Sequence, residues 1–407
     1  MDRTGPRGHG LRSALVPVVR CCPGEVASPV AVLMAATIDT LIIGASAAGL
    51  ATAACLKASG QRFEILEASD VVGQTWRRQY DRLHLHTPKS ASALPGLDMP
   101  PAWPRYPARD QVVEYLERYR SHHELEPRFG QSVTRLERGD SDEWAATTRT
   151  GQWRAPTVVI ATGANDRPVC PTWPGMETFH VLGHPLQRVP QRRSVEGPPG
   201  PGRGFRQLRV RAGHRPGRAG RCPAHGRSFP GQRHPRDIFG VVPMLQLGVV
   251  MQHLQPAMAD ALAWPMIRVT IGDIRTVGLR RLPYGPNAQI ARDRHIPLLD
   301  IGTMDHIRAG RIRIHPDIRR FSEDGVVFVD ADALKVDAVV LATGYRPGLD
   351  QFLVPWREVC DDKGIPEVSG GHTALPGLFF CGQFVSPAGM LREIKLEAAR
   401  IAHVAGR

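Results

Sequence analysis

IDTLIIGASAAGLATAACLKASGQRFEILE, residues 38–67, decides how the rest of the chain is read. Ile38 to Ile43 is a short apolar run of the kind that forms a strand buried on both faces. Gly44 and Gly49 bracket a turn, Ala51 to Lys57 continues as a helix of small residues, and Phe63 to Leu66 forms a second strand ending at Glu67. The order is strand, glycine turn, helix, strand, with an acid about twenty residues beyond the glycines. Gly44 lets the chain turn sharply, and the small Ala45 and Ser46 let backbone N–H groups approach a pyrophosphate. The helix that follows offers the partial positive charge of its N-terminus, and Glu67 can accept hydrogen bonds from an adenosine ribose. Ser46 stands where the middle glycine of GxGxxG is usual. The spacing predicts dinucleotide binding; the competing reading is a buried βαβ unit with no ligand.

Net charge looks at first like a nucleic-acid signal, at +13. Its location removes that reading. Residues 185–233 hold 12 Arg and one acid, Glu196, and residues 1–34 hold four Arg against Asp2 and Glu25. Together these account for the whole excess, so the body of the protein is neutral and nucleic acid is not an expected partner. The seven cysteines (Cys21, Cys22, Cys55, Cys170, Cys222, Cys360 and Cys381) include no C-x-x-C pair, which argues against a dithiol or zinc site and suits a reducing cytoplasm. No apolar run approaches membrane-spanning length. Residues 1–34 lack the order of charge, apolar core and cleavage site of a signal peptide. They read as a disordered arm or as translated upstream sequence, with Met34 the natural start.

Beyond Glu67, Gly73 and Trp76 fall in a loop, and Pro and Gly punctuate residues 88–107. Asp110 is expected to cap an amphipathic helix carrying Val112, Val113, Tyr115, Leu116 and Tyr119. Strands are expected near 132–137, 143–148 and 157–161, then at 312–318, 326–330 and 337–341. Residues 241–269 read as a pair of buried or interface helices over the active site, with membrane association as the other reading. Met390 to Val404 reads as a terminal amphipathic helix.

GASAAGL, the GQTW loop, YDRLHLHTPK, YPARDQVVEYLERY and ATGAND together resemble flavin-containing monooxygenases, nearest the YUCCA (indole-3-pyruvate monooxygenase-like) branch and its bacterial relatives. The likeness resumes at HPRDIFG (234–240), GLRRLPYGP (278–286), 297–321, DAVVLATGYRP (337–347) and GLFFCGQFVSPAGMLREI (377–394). Single motifs such as ATG are moderately specific; their order and spacing are highly so. The resemblance implies an α/β fold of two interleaved Rossmann-type domains, one for FAD and one for NADPH. The implied FAD domain would be 35–165 completed by 337–407, with the NADPH and substrate domain at 166–336. Gly44, Ala45, Ser46, Gly49 and Glu67 would hold the ADP moiety of FAD, and Trp76 with the HLHTPK loop would lie against the isoalloxazine. Ala161, Thr162 and Gly163, and likewise Ala342 to Gly344, would form the turns where the chain crosses between domains, and Gly382 would sit near the ribityl chain.

The implied reaction is that of a class B monooxygenase. NADPH reduces FAD, O2 adds to give a C4a-(hydro)peroxyflavin, and one oxygen atom enters a small organic substrate. That substrate would be an indole-3-pyruvate-like 2-oxo acid or a soft nitrogen or sulfur nucleophile. His86, Lys89 and Asn165 are the positions implied for stabilising the oxygenated flavin or orienting nicotinamide. Trp76 as a packed aromatic, and His84 and His86 as structural hydrogen-bonders, are the plainer alternatives. A flavin oxidoreductase without oxygen insertion, and a catalytically dead FAD-binding protein, are the competing functions. Nothing in the sequence specifies an oligomeric state.

One segment does not belong. The family should carry a second glycine fingerprint between about 195 and 215, where this chain reads SVEGPPGPGRGFRQLRVRAGH. Residues 185–233 contain 12 Arg, 9 Gly and 8 Pro with no Ile or Lys, and no strand or helix period survives. A disordered basic linker is one reading. Out-of-frame coding sequence is the favoured one. Back-translated and moved one nucleotide forward, Leu186 to Ser194 can give SSGFRNGVP, Gly197 to Arg209 can give ALRVLVVGSGNSG, and Cys222 to Pro235 can give VRPTVGPSRVSVIP. The middle product is a strand followed by the missing fingerprint. The chain as written is therefore expected to have a disrupted NADPH domain with apolar surface exposed, to hold FAD weakly or not at all, and to be reduced poorly by NADPH.

Overall fold

The structure, a computed structural model, describes residues 38–139, 142–179, 207–210, 233–235, 237–238, 242–243, 254–279, 282–293, 298–300, 303–329, 332–336, 338–384, 386 and 388–405. Strand β1 (Thr40–Ile43) leads into helix α1 (Ala47–Ala58) and β2 (Phe63–Leu66). Two single-turn helices follow, α2 (Gln74–Arg77) and α3 (Lys89–Ser92), then the longer α4 (Arg109–His122). Three antiparallel strands, β3 (Arg135–Arg138), β4 (Trp144–Thr147) and β5 (Gln152–Ala155), precede β6 (Thr157–Ile160) and the short β7 (Arg167–Pro168). Strands β8 (Gln207–Val210), β9 (Arg233–Pro235), β10 (Asp237–Ile238) and β11 (Val242–Pro243) come next, then α5 (Pro256–Ile271) and α6 (Pro286–Asp293). After β12 (Leu298–Asp300) and α7 (Thr303–Arg308) the chain makes a meander of β13 (Ile318–Ser322), β14 (Gly325–Phe328) and β15 (Ala333–Lys335). It ends with β16 (Ala338–Leu341), β17 (Tyr345–Arg346), β18 (Leu378–Phe380) and α8 (Met390–Ala405).

The main sheet is parallel throughout and runs β18-β6-β1-β2, so strands from both ends of the chain share it. Thr40 sits between Phe63 and Thr157 in register, and Ile43 between Leu66 and Ile160. Alternation sorts the side chains. Ile42, Ile65, Val159 and Phe379 face a core made with α1, α4 and α8, whereas Leu41, Ile43, Val158 and Phe380 face Leu136 and Trp144 of the antiparallel sheet. Both faces are therefore covered, as a parallel sheet of apolar strands requires. The chain leaves β1 toward β2 on one side while β6 lies on the other, which makes the carboxyl edge between β1 and β6 a topological switch point.

A second parallel pair, β16 beside β8, aligns Ala338 with Gln207 and Leu341 with Val210. Its core joins Val339 and Leu341 to Trp173, Phe321, Val326 and Phe328 of the meander. The two crossings between this unit and the main sheet run side by side, with Tyr345 opposite Pro168 and Arg346 opposite Arg167 in β17 and β7.

Several expectations shift. The N-cap of α4 is Ala108, not Asp110; Asp110 lies in the first turn, and the Gln111 Oε1 takes the Ala108 N–H at 2.9 Å in the role a capping side chain would have. The strand expected at 312–318 begins at Ile318, because Pro316 has no N–H for a ladder. Of the helix pair expected over 241–269, the described residues hold α5, which continues through Pro265; residues 244–253 lie outside the described residues. The arm at 1–34 lies outside the described residues, as does most of 185–233. Within that segment β8 is nevertheless a strand, although no strand period was legible there.

Candidate dinucleotide site

The carboxyl ends of β1, β2, β6 and β18 lie along one edge, and the residues singled out in the sequence gather there. Gly44 follows β1 with φ +107°, a conformation that L side chains rarely adopt, and a Cβ on it would stand 2.8 Å from the Ala161 carbonyl oxygen at the end of β6. Gly49, one turn into α1, is needed for a different reason: a Cβ there would meet the Gly44 carbonyl oxygen at 1.8 Å. These two glycines bring the start of α1 down onto the strand end.

Ser46 is the N-cap of α1, its side chain makes no capping bond, and no acid stands in the first turn. The helix N-terminus therefore keeps its free donors and its partial positive charge for a ligand. Glu67 reaches that turn from β2. Its Oε2 accepts the Ala45 N–H at 2.6 Å, and its Oε1 accepts the Ser69 N–H at 2.9 Å and the Ser69 hydroxyl at 2.7 Å. Ser69, which the sequence reading did not single out, thus fixes the acid over the glycine turn. Gly73 N–H donates to the Ala45 carbonyl at 3.1 Å, tying the GQTW loop to the same turn, and Trp76 packs half-buried against the core under it.

At the next strand ends, Ala161 and Thr162 follow β6, and Cys381, Gly382 and Gln383 follow β18. Gly382, φ +76°, would place a Cβ 2.9 Å from the Ala48 Cβ, so this turn too packs against the start of α1. Its N–H donates at 2.7 Å to Glu397 of α8, a carboxylate only 1% exposed that also accepts the Ser369 hydroxyl at 2.9 Å. Burial raises the Glu397 carboxyl above its usual range, against the pull of those two donors. The same burial pushes the neighbouring Cys381 thiol up, which leaves it an inert core residue.

The HLHTPK loop lies against this edge from the side: a Cβ on Gly389, just before α8, would meet Thr87 Cγ2 at 2.4 Å. Leu85 is buried in the core while His84 and His86 are exposed on either side of it. Lys89 is committed elsewhere. Its Nζ donates to the Pro100 carbonyl at 3.2 Å, the Trp103 carbonyl at 2.6 Å and the Pro101 carbonyl, which uses its three donors. Tyr115 and Tyr119 of α4 hold the same region through the Leu97 and Pro95 carbonyls, each at 2.6 Å. Lys89 therefore straps the 100–103 loop, where a flavin-facing role had been expected. Asn165 is exposed on the crossing between β6 and β7, and Gly163 and Gly344 hold positive φ on the two crossings with open space around them.

The arrangement fits a dinucleotide. It offers a glycine cradle, an uncapped helix start and an acid one strand away, and it leaves polar atoms wanting partners. Thr162 Oγ1 and both amide atoms of Gln383 are buried and unpartnered among the described residues. Among those residues there is no cluster of metal-ligating side chains, and no helix is long and apolar enough to cross a membrane.

Comparison with known proteins points the same way. A family model described as pyridine nucleotide-disulphide oxidoreductase matches residues 41–192. Indole-3-pyruvate monooxygenase YUCCA1 of Oryza sativa subsp. japonica is 32% identical over 346 residues, which cover 81% of this chain and 82% of the relative. Indole-3-pyruvate monooxygenase YUCCA8 of Oryza sativa subsp. indica is 30% identical over 410 residues and 94% of each chain. Among solved structures, a flavin-containing monooxygenase from Stenotrophomonas maltophilia matches with a TM-score of 0.60 at 21% identity, over 91% of this chain and 98% of that one. OTEMO in complex with FAD and NADP matches with a TM-score of 0.61 at 16% identity, over 91% and 85%.

Proposed function

The chain belongs to the YUCCA-type flavin monooxygenases, an FAD- and NADPH-dependent family, and from that premise we propose that it oxygenates a small 2-oxo acid of the indole-3-pyruvate class with O2. Bound FAD supplies the redox and oxygen chemistry. The chain's own residues bind and orient it. The Ala45 N–H and the open start of α1 neutralise the pyrophosphate, and Glu67 moves its acceptor from the Ala45 N–H to the adenosine ribose. Trp76, and the exposed His86 beside buried Leu85, stand on the flavin side, where His86 holds or gives a proton to the reacting oxygen. Asn165, on the crossing after β6, orients the nicotinamide. Lys89 acts one step removed, by fixing the 100–103 loop. The observation that carries the reading is the Glu67–Ala45 contact over the Gly44 turn, at 2.6 Å.

This chain retains the FAD half of the machinery and is impaired in the other. The segment that should supply the NADPH fingerprint reads GPPGPGRGFRQLRVRAG, a sequence without G-x-G-x-x-G spacing. The crossings and β16 are in place, so the defect falls first on delivery of hydride, with FAD held weakly beside the disrupted domain. Titrating the purified, flavin-loaded protein with NADPH under nitrogen tests this. Slow, incomplete bleaching of the flavin band is expected, and rapid bleaching would overturn the impairment. Under air, oxygen-18 from the gas should appear in product; its absence would make the chain an oxidoreductase without oxygen insertion.

A further inference from the structure

Helix α5 is apolar on two opposite sides. Ala259, Ala263 and Ile267, one turn apart, are buried, the last two against Ile274, Leu279, Met304 and Ile307. Met258, Leu262, Pro265 and Val269 recur at i, i+4, i+7 and i+11, so they form a second stripe facing away from the first. That stripe is open. Met258 is 54% exposed, Leu262 64% and Val269 76%, and Pro265 is exposed between them. With Trp264 on its flank, this one helix holds four of the eleven large apolar side chains exposed among the described residues. Apolar side chains exposed singly need no explanation, but a continuous stripe marks a surface that something covers.

Charge is arranged around the stripe rather than on it. The one acid of the helix, Asp260, is turned into the protein, where it caps α6. Its Oδ1 accepts the Asn287 N–H at 2.8 Å and the Asn287 side-chain amide at 3.0 Å, and its Oδ2 accepts the Ala288 N–H at 3.0 Å. The nineteen residues before it, 241–259, carry no charged side chain. Arginines begin where the stripe ends. Arg268 and Arg275 share Asp273 at 3.4 and 2.7 Å. Arg308 of α7, whose guanidinium would stand 3.9 Å from a Cβ on Gly272, meets Asp305 at 3.4 Å. Exposed Arg311 and Arg313 follow, on the stretch whose Ile314 packs into the same core. Five arginines thus stand over two acids at this end of the stripe. Residues 256–315 as a whole hold nine Arg against five Asp, with no Lys or Glu.

We propose that this face docks on the surface of a membrane containing anionic lipids, with α5 lying in the interface plane. Sixteen residues with an internal proline are too few to cross a bilayer. An open apolar stripe with a tryptophan on its flank and arginines at its end has the pattern of a helix that lies on one. Charge selects this occupant over a second copy of the chain. A copy meeting the same face about a two-fold axis offers the arginines no carboxylate, since Asp260 is turned inward and Asp273 and Asp305 are already paired. An anionic headgroup layer supplies counter-charge for the arginines and apolar depth for the stripe.

The test needs no cofactor and is therefore independent of the oxygenase reading. The purified full chain is sedimented with unilamellar vesicles of phosphatidylcholine alone or with phosphatidylserine added, and without vesicles as the blank. The parent should sediment with the mixed vesicles, more weakly with the neutral ones, and less as salt is raised. Leu262→Gln/Val269→Gln should bind the mixed vesicles at least about ten-fold more weakly. Arg311→Gln/Arg313→Gln should lose roughly ten-fold on the mixed vesicles and little on the neutral ones. Both double variants should melt at the parent temperature, because the side chains changed are exposed. A parent that ignores the mixed vesicles, or binds neutral ones equally well, would overturn the proposal. So would a lowered melting temperature in Leu262→Gln/Val269→Gln, which would mean the stripe is covered by the chain itself. Self-association of the parent without lipid, abolished by that same double variant, would instead make the occupant a second copy.

Discussion

At the scale of single residues, the glycines were the most legible part of the site. Gly44 is dictated twice, by a φ of +107° and by the Ala161 carbonyl 2.8 Å from where a Cβ would go. Gly44→Ala forces either the turn or the end of β6 to move, at a cost of about 1–3 kcal/mol. A lowered melting temperature and loss of bound flavin after purification are expected together; a variant that keeps both would refute the close approach. The place of Glu67 was equally readable, because an acid at the end of the second strand stands over the glycine turn, where its carboxylate accepts the Ala45 N–H at 2.6 Å. Gln383 and Lys89 were not. Gln383 follows a glycine the resemblance had marked, but its meaning comes from burial without a partner, which no sequence pattern carries. Lys89 looked like a functional charge and is bound by three loop carbonyls contributed from 100–103, a fact of tertiary packing.

At the scale of elements, periodicity located the helices well. Leu391, Ile394, Ala398 and Ile401 of α8 make the buried stripe that its spacing predicts. Glu397 breaks that stripe, and a charge on the apolar face of a terminal helix was the one visible sign that the helix does more than pack. It couples α8 to the end of β18 through the Gly382 N–H. Its titration gives a test with a definite sign. Burial raises its pKa above the ordinary 4.5, opposed by the Gly382 N–H, the Ser369 hydroxyl and Arg400 and aided by Glu393. The folded chain therefore binds this proton more tightly than the unfolded chain does. The stability it contributes is complete below the unfolded value and is lost as pH rises through the folded one. Gln at this position can still accept from Gly382 and does not titrate. Melting temperatures of Glu397→Gln relative to the parent should rise as pH is raised above the ordinary carboxylate value of 4.5. A difference that stays flat as pH is raised would show that the carboxyl titrates normally. The strands were less legible than the helices. QLRV at 207–210 pairs with β16 although its surroundings show no period, because a parallel ladder is made by backbone groups that any proline-free window possesses.

At the scale of the whole molecule, the two halves of the fold differ in how they were specified. The FAD half was readable because each level agrees: apolar strands, a glycine turn, an acid at the next strand end, and strands from both termini closing one sheet. In the second half the levels conflict. β16 and its meander share a buried apolar core, yet the sequence that follows the strand beside β16 reads RAGHRPGRAG, without G-x-G-x-x-G spacing. Under one constant reading offset three stretches of this segment can be read as family-like sequence, which a linker that evolved as such has no reason to permit. A displaced reading frame has. The nucleotide sequence over codons 180–240 should therefore contain a pair of compensating single-nucleotide changes. Replacing 186–235 with the shifted reading, which restores VLVVGSGNSG, should return a turn of backbone N–H groups for the NADPH pyrophosphate. Recovering such charge-assisted hydrogen bonds is worth about 3 kcal/mol, or roughly a hundred-fold in NADPH affinity. The restored chain should bleach its flavin band rapidly under nitrogen at NADPH concentrations that leave the parent yellow. If it behaves like the parent, the basic segment is a true part of this protein and hydride must enter by another route.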